Sequence, residues 1–316
     1  MKVKNYIVLL LLGVLIVSGA FAQDNILKHK ELEDRFNFIL ATDLGRNGYY
    51  HQKSIANKMG EVAENIDIEF VVASGDTHHY EGIQSTSDPL WMTNYELIYS
   101  HPELQVDWYP LLGNHEYRGN TQAVIDYSNI SRRWSMPDRY YSKSFKTEEG
   151  ESILIVFIDT PPLIDKYRNE TESYPDAVKQ DMKKQLDWIN STLKNATEKW
   201  KIVVGHHPIY AETSKDDAER TDMQSRVDTI LRKYNVDMYI CGHIHNFQHI
   251  RTKSSKIDYI VNSSGSLSRK IKNPVEGTVF SSGETGFSIC SVTNNVLTLY
   301  LINKDGNILH TVNRTK

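Results

Sequence analysis

The chain has 316 residues, 40% of them hydrophobic and 24% charged, with a formal net charge of −4. That length suits one large domain or two small ones, and without an extended basic block it excludes a general nucleic-acid binder on electrostatic grounds. The two cysteines, Cys241 and Cys290, each lie inside an apolar segment and read as buried free thiols rather than a disulfide framework.

In chain order, Lys2 and Lys4 lead an apolar run that closes on Ala20-Phe21-Ala22, an A-x-A pattern. Residues 1–22 are therefore expected to be a signal peptide. No cysteine follows the run, so a lipid anchor is not indicated. The expectation is one exported domain over residues 23–316, periplasmic or secreted. No later apolar run is long enough to hold it in a membrane.

Residues 36–43 read as a strand and 51–66 as a helix with Ile55, Met59, Val62 and Ile66 on one face. A strand over 67–76, a helix around 89–99 and a strand over 106–116 follow. Strands over 151–160 and 200–208 are separated by a helix over 176–195. A further helix over 216–235 precedes a strand over 236–245. Short strands then cover 256–265, 286–293, 296–303 and 308–312, joined by turns such as Asp305-Gly306. The pattern is α/β: a layered β-sandwich covered by helices.

Strand after strand ends in a metal-capable side chain: Asp43, Asp76, Asn114 with His115, His206 with His207, and His243 with His245. Ligands in α/β sheets bind beyond the carboxyl ends of the strands, so five such ends can meet at one place. Any one of them alone is an ordinary turn residue. In an extended segment His243 and His245 face the same side. The combined set is mixed nitrogen and oxygen, which suits two metals of intermediate hardness and not calcium or a thiolate zinc site. Asp76 is the natural shared carboxylate.

The ordered series Asp43-Leu44-Gly45, Gly75-Asp76, Gly113-Asn114-His115-Glu116, Gly205-His206 and Gly242-His243-Ile244-His245 resembles the calcineurin-like metallophosphoesterases. Within them it is most similar to the small purple acid and tartrate-resistant acid phosphatases. The resemblance implies a four-layer αββα sandwich, two mixed β-sheets flanked by helices. It gives one metal to Asp43, Asp76, His245 and the residue after the Gly-Asp. The second takes Asp76 as bridge, Asn114, His206 and His243. The metals would be iron with iron, zinc or manganese. His115 is implied to face the phosphate and leaving group. The implied reaction is attack of metal-activated hydroxide on a small phosphate monoester, with no covalent phospho-enzyme.

Two positions depart from the family pattern. Where purple acid phosphatases place an iron-binding tyrosine three residues after the bridging aspartate, this chain has His79, with Tyr80 one place later. Strand–turn geometry favours His79 as the ligand. Nine residues after His206, a substrate-facing histidine of the family is replaced by Lys215, read as a solvated loop residue. The roles of His78 and His207 stay open. Two other functions compete: a phosphodiesterase or nucleotidase on the same core, with Tyr49, Tyr50, Trp91 or Tyr117 stacking a base, and a non-catalytic metal-stabilised binding protein.

Overall fold

The computed structural model describes residues 24–147, 150–215, 217–272 and 274–316. The expected signal peptide lies outside them. In chain order the strands are β1 (Phe36–Ala41), β2 (Phe70–Ala73), β3 (Asp107–Pro110), β4 (Tyr141–Lys146), β5 (Ser152–Phe157), β6 (Trp200–Val204) and β7 (Met238–Cys241). Then come β8 (Phe247–Ile250), β9 (Asp258–Asn262), β10 (Thr278–Ser282), β11 (Gly286–Val292), β12 (Val296–Asn303) and β13 (Ile308–Thr315).

They form two mixed sheets, ordered β13-β12-β11-β1-β2-β3 and β10-β8-β9-β7-β6-β5-β4. In the first, β1, β2 and β3 run parallel; in the second, β5, β6, β7 and β9 do. The parallel strands are almost wholly apolar and buried, as strands covered on both faces must be. Aromatic rings join the two sheets: Phe145 of β4 stacks on Phe70 of β2 at 4.3 Å. The Tyr141 hydroxyl donates to the Pro110 carbonyl at 2.6 Å. Near the site, the Asn262 amide donates across the sandwich to the Leu40 carbonyl at 2.9 Å.

Helices cover the sheets: α1 (Gln52–Ile66), α2 (Thr121–Asp126), α3 (Asp165–Asn169), α4 (Met182–Asn195), α5 (Asp217–Met223) and α6 (Thr229–Lys233). Helix α1 buries the expected face of Ile55, Met59, Val62 and Ile66. Helix α4 starts later than the sequence suggests, because the Asp181 carboxylate caps it by accepting from the Lys184 amide at 2.9 Å. The helix expected over 216–235 is broken by a π-turn at Gln224–Asp228, from which Asp228 accepts the Tyr210 hydroxyl at 3.1 Å. The helix expected around 89–99 is built round a π-turn at Met92–Glu96. Strands β4, β8 and β10 were not expected, since β4 and β10 are half-exposed edge strands and β8 is only four residues long. Among the described residues no helix is long and apolar enough to cross a membrane, and both cysteines are free and buried.

Behind β5, Asp159 is fully buried, and one of its oxygens has no hydrogen-bond partner. Burial raises its carboxyl to about 7, against the pull of Arg139 and the Tyr117 hydroxyl. A carboxyl raised above its unfolded value stabilises below that value, and the contribution is lost as pH rises through 7. Asp159→Asn should therefore melt higher relative to wild type at pH 8 than at pH 5. An equal difference at both pH values would contradict this.

Candidate metal centre

The carboxyl ends of β1, β2, β3, β6 and β7 carry the predicted residues, and the fold brings them together. Asp43, Asp76, His243 and His245 all sit just past a strand in the left-handed region, at φ 52°, 53°, 69° and 62°. Such a backbone costs an L residue about 1–2 kcal/mol, although Asp and His tolerate it better than most. The conformation turns each side chain sharply from its strand towards the gap between the sheets.

Asp76 Oδ2 is the centre of the cluster. It lies 3.1 Å from His206 Nε2, 3.6 Å from His79 Nε2 and 3.9 Å from His115 Nε2. Its other oxygen accepts the His115 amide at 2.9 Å. Asp43 Oδ1 lies 2.9 Å from His245 Nε2, while Asp43 Oδ2 accepts from the His243 amide and Thr42 hydroxyl, both at 2.9 Å. Four groups of potential ligands result among the described residues: Asp43 with His79 and His245, Asp43 with Asp76 and His206, Asp76 with His79 and His115, and His206 with His207 and His243.

The histidines are aimed by backbone carbonyls. The Nδ1 atoms of His79, His206 and His245 lie 3.0, 2.9 and 2.7 Å from the carbonyls of Gly45, Ser74 and Leu267. A carbonyl only accepts, so each Nδ1 carries a proton and each Nε2 points to the centre. His243 is the exception. Its Nε2 lies 3.1 Å from Glu219 Oε2 and 2.6 Å from Lys215 Nζ, so Nδ1 is the atom left for a metal. His207 has both ring nitrogens engaged, with the Thr160 and Tyr167 hydroxyls at 2.8 Å each, and stands behind the site.

Asp43 Oδ1, His79 Nε2, His206 Nε2 and Asn114 Oδ1 are buried and make no well-formed hydrogen bond, and the first three meet only other side chains of the cluster. Unpaired buried polar atoms are costly, and here they converge as a nitrogen and oxygen set with no thiolate. The field agrees. Burial would raise Asp43 and Asp76, yet the surrounding histidines hold both carboxyls well below the usual carboxylate range. Burial would lower His206, yet Asp76 raises it to about 9. The two buried carboxylates demand positive charge at this point.

The structure turns His79 inward at 3% exposure and leaves Tyr80 56% exposed. His78 is fully buried, packs edge-on against Trp91 at 4.4 Å and is pushed by burial down to about 3. It is a packing residue, facing neither solvent nor the centre. Lys215 is not the solvated residue the sequence suggested, because its ammonium also reaches the His243 carbonyl at 3.1 Å. Glu116 has a role the sequence did not reveal. Its carboxylate accepts from the amides of Asp76 and Gly113 at 2.8 Å and His78 at 3.0 Å, tying the loops after β2 and β3 together. Only its place beside His115 hinted at it.

The family model for calcineurin-like phosphoesterases matches residues 36–247. Purple acid phosphatase 4 of Arabidopsis thaliana is 33% identical over 284 residues, covering 87% of this chain and 82% of the relative. The chain belongs to the purple acid phosphatases of that family. Tartrate-resistant acid phosphatase type 5 of Homo sapiens is 29% identical over 293 residues, covering 86% and 88% of the two chains. Among solved structures, GAP50, the anchor in the inner membrane complex of Plasmodium, aligns over 89% of either chain with a TM-score of 0.75 and 21% identity. That likeness shows the fold alone. The enzyme class expected from the motif series, phosphoric monoester hydrolase, is that of the purple acid phosphatases. These enzymes use a dinuclear centre, typically iron with iron, zinc or manganese, and the donor set described above fits such a group.

Two measurements follow. A Cβ at Gly113 would strike the Asp76 carboxylate, so Gly113→Ala should lose most of its bound metal by elemental analysis while keeping its circular dichroism. With imidazole inward and phenol outward, the metal-loaded protein should lack a visible phenolate-to-iron band, and Tyr80→Phe should leave its spectrum unchanged. A visible band that Tyr80→Phe abolishes would reverse the assignment.

Proposed function

We propose that this protein is an exported two-metal phosphatase of small phosphate monoesters, with residues 23–316 as its one domain. Asp43, His79 and His245 would hold one metal, and Asn114, His206 and His243 the other, with Asp76 between them. The observation that carries the reading is the convergence of buried donor atoms of Asp43, Asp76, His79, His206 and His245 in overlapping groups, each within 4.8 Å. When bound, the metal pair supplies Lewis-acid stabilisation of the phosphate and activation of a water. The A-x-A pattern at residues 20–22 supports export to a periplasm or the exterior.

The protein's own residues do the rest. His115 is part-exposed at the mouth, with Nδ1 held 2.6 Å from the Tyr80 carbonyl and Nε2 facing the centre. The carbonyl fixes a proton on Nδ1, which leaves Nε2 as the ring atom able to pass a proton to the departing oxygen. Lys215, Arg118 and Arg269 line the same recess of about 510 Å³ and offer positive charge to a phosphate dianion. Burial lowers the Lys215 ammonium to about 8, still above neutrality. Among the described residues no serine, threonine, cysteine or carboxylate lines the recess.

The test compares nitrophenyl phosphate with bis-nitrophenyl phosphate in the metal-loaded enzyme and after chelation. The monoester should turn over faster, and chelator should abolish the activity. Faster turnover of the diester would replace the monoesterase reading, and bound metal without turnover of any ester would leave a binding protein. His115→Ala should lower kcat about 100-fold on glycerol phosphate. The loss should be smaller on nitrophenyl phosphate, whose leaving group needs no proton.

A further inference from the structure

His79, His206 and His245 are aimed by backbone carbonyls, but His243 is faced by a carboxylate. Glu219 stands in α5, is 2% exposed, and holds Oε2 3.1 Å from His243 Nε2. Its other oxygen accepts from the Lys166 ammonium at 2.7 Å and the Tyr167 hydroxyl at 3.0 Å, both on α3. Neither helix contributes a residue to the donor set, yet both meet at this one acid. A buried carboxylate is costly unless its oxygens are used, and here both are.

The directions of these bonds are forced. Tyr167 donates to the carboxylate, so its oxygen accepts from His207 Nε2 at 2.8 Å, and His207 Nδ1 accepts from the Thr160 hydroxyl at 2.8 Å. A carboxylate only accepts, so a neutral His243 bound to it carries its proton on Nε2 and leaves Nδ1 bare. Lys215 pulls the other way. Its ammonium lies 2.6 Å from the same Nε2 and can only donate, and a ring that accepted it would carry the proton on Nδ1 and lose its ligand atom. Lys215 has a second acceptor in the His243 carbonyl at 3.1 Å. Among the described residues, the only acceptor that His243 Nε2 meets is Glu219.

Charge points the same way. One metal would meet two carboxylates, Asp43 and Asp76. The other would meet only the shared Asp76, beside the neutral Asn114, His206 and His243. A carboxylate on the far side of an imidazole makes the ring a stronger donor. We propose that Glu219 is a positioning residue for this second metal, fixing His243 with Nδ1 bare and lending its charge to the poorer site through the ring. The proposal rests on the two-metal reading above and gives α5 a part in it. Lys166 then restrains the affinity, because the charge it draws from the carboxylate is lost to His243.

The experiment titrates the metal-free protein with zinc alone, reading the number of ions bound and their dissociation constants by competition with a chromophoric chelator. Wild type should bind two ions. In Glu219→Gln one constant should weaken about 10- to 100-fold while the other stays within about twofold. Lys166→Met should tighten that same constant, by about threefold. A carboxylate that only tied α3 to α5 would lose affinity in both variants. In a His243→Ala background, Glu219→Gln should leave the remaining constant unchanged. The Lys166 side chain is 40% exposed, so its variant keeps the test open should Glu219→Gln fail to fold. Two bound ions whose constants ignore Glu219, or move the same way in both variants, refute the positioning role and leave the phosphatase standing. A wild type that binds fewer than two ions removes the two-metal reading itself.

Discussion

One buried carboxylate organises the centre. Asp76 brings a negative charge to full burial at the seam of two sheets, which is tolerable only because three imidazoles face its outer oxygen. Its own amide is held by Glu116, and its inner oxygen by the amide of His115. The loops after β2 and β3 are thereby locked to each other around that one group. Gly113 must lack a side chain for the same reason, since the Asp76 carboxylate occupies the space.

Much of this was legible in the sequence because the donors are strand-terminal, and a strand end is a local signal. Asp43, Asp76, Asn114, His206, His243 and His245 could each be placed by the apolar run preceding it. The inward turn of His79 over Tyr80 was also readable, since a side chain's direction is fixed by its distance from the strand. The rest required three dimensions. Glu116 acts through amides up to 40 residues away. Lys215 sits in a polar loop whose fold back onto His243 no periodicity announces. In the fold, β4 and β10 were hidden by half-polar composition, and the helix over 216–235 by a π-turn that Asp228 anchors.

The same arrangement divides labour between conserving shape and doing chemistry. Atoms that shape the centre, such as Thr42 Oγ1, the Ser74 carbonyl and both nitrogens of His207, are fully engaged with protein partners. Atoms that would touch a cation, such as Asp43 Oδ1, His79 Nε2 and His206 Nε2, face only other side chains of the cluster. Trp91 and Tyr117 belong with the first kind, both fully buried in the core.

The three carbonyls that aim His79, His206 and His245 have a consequence for how the molecule assembles. Gly45 and Ser74 belong to the sheet of β1 and β2, but the histidines they steer include His206 of the other sheet, and His245 depends on Leu267, twenty-two residues downstream. Neither half of the sandwich can orient a full donor set by itself. Any cation held there would bind the docked pair of sheets and not the separated ones, so its binding energy would act as a clasp across the seam. Depletion of the metal would then be felt first as loosening between the layers.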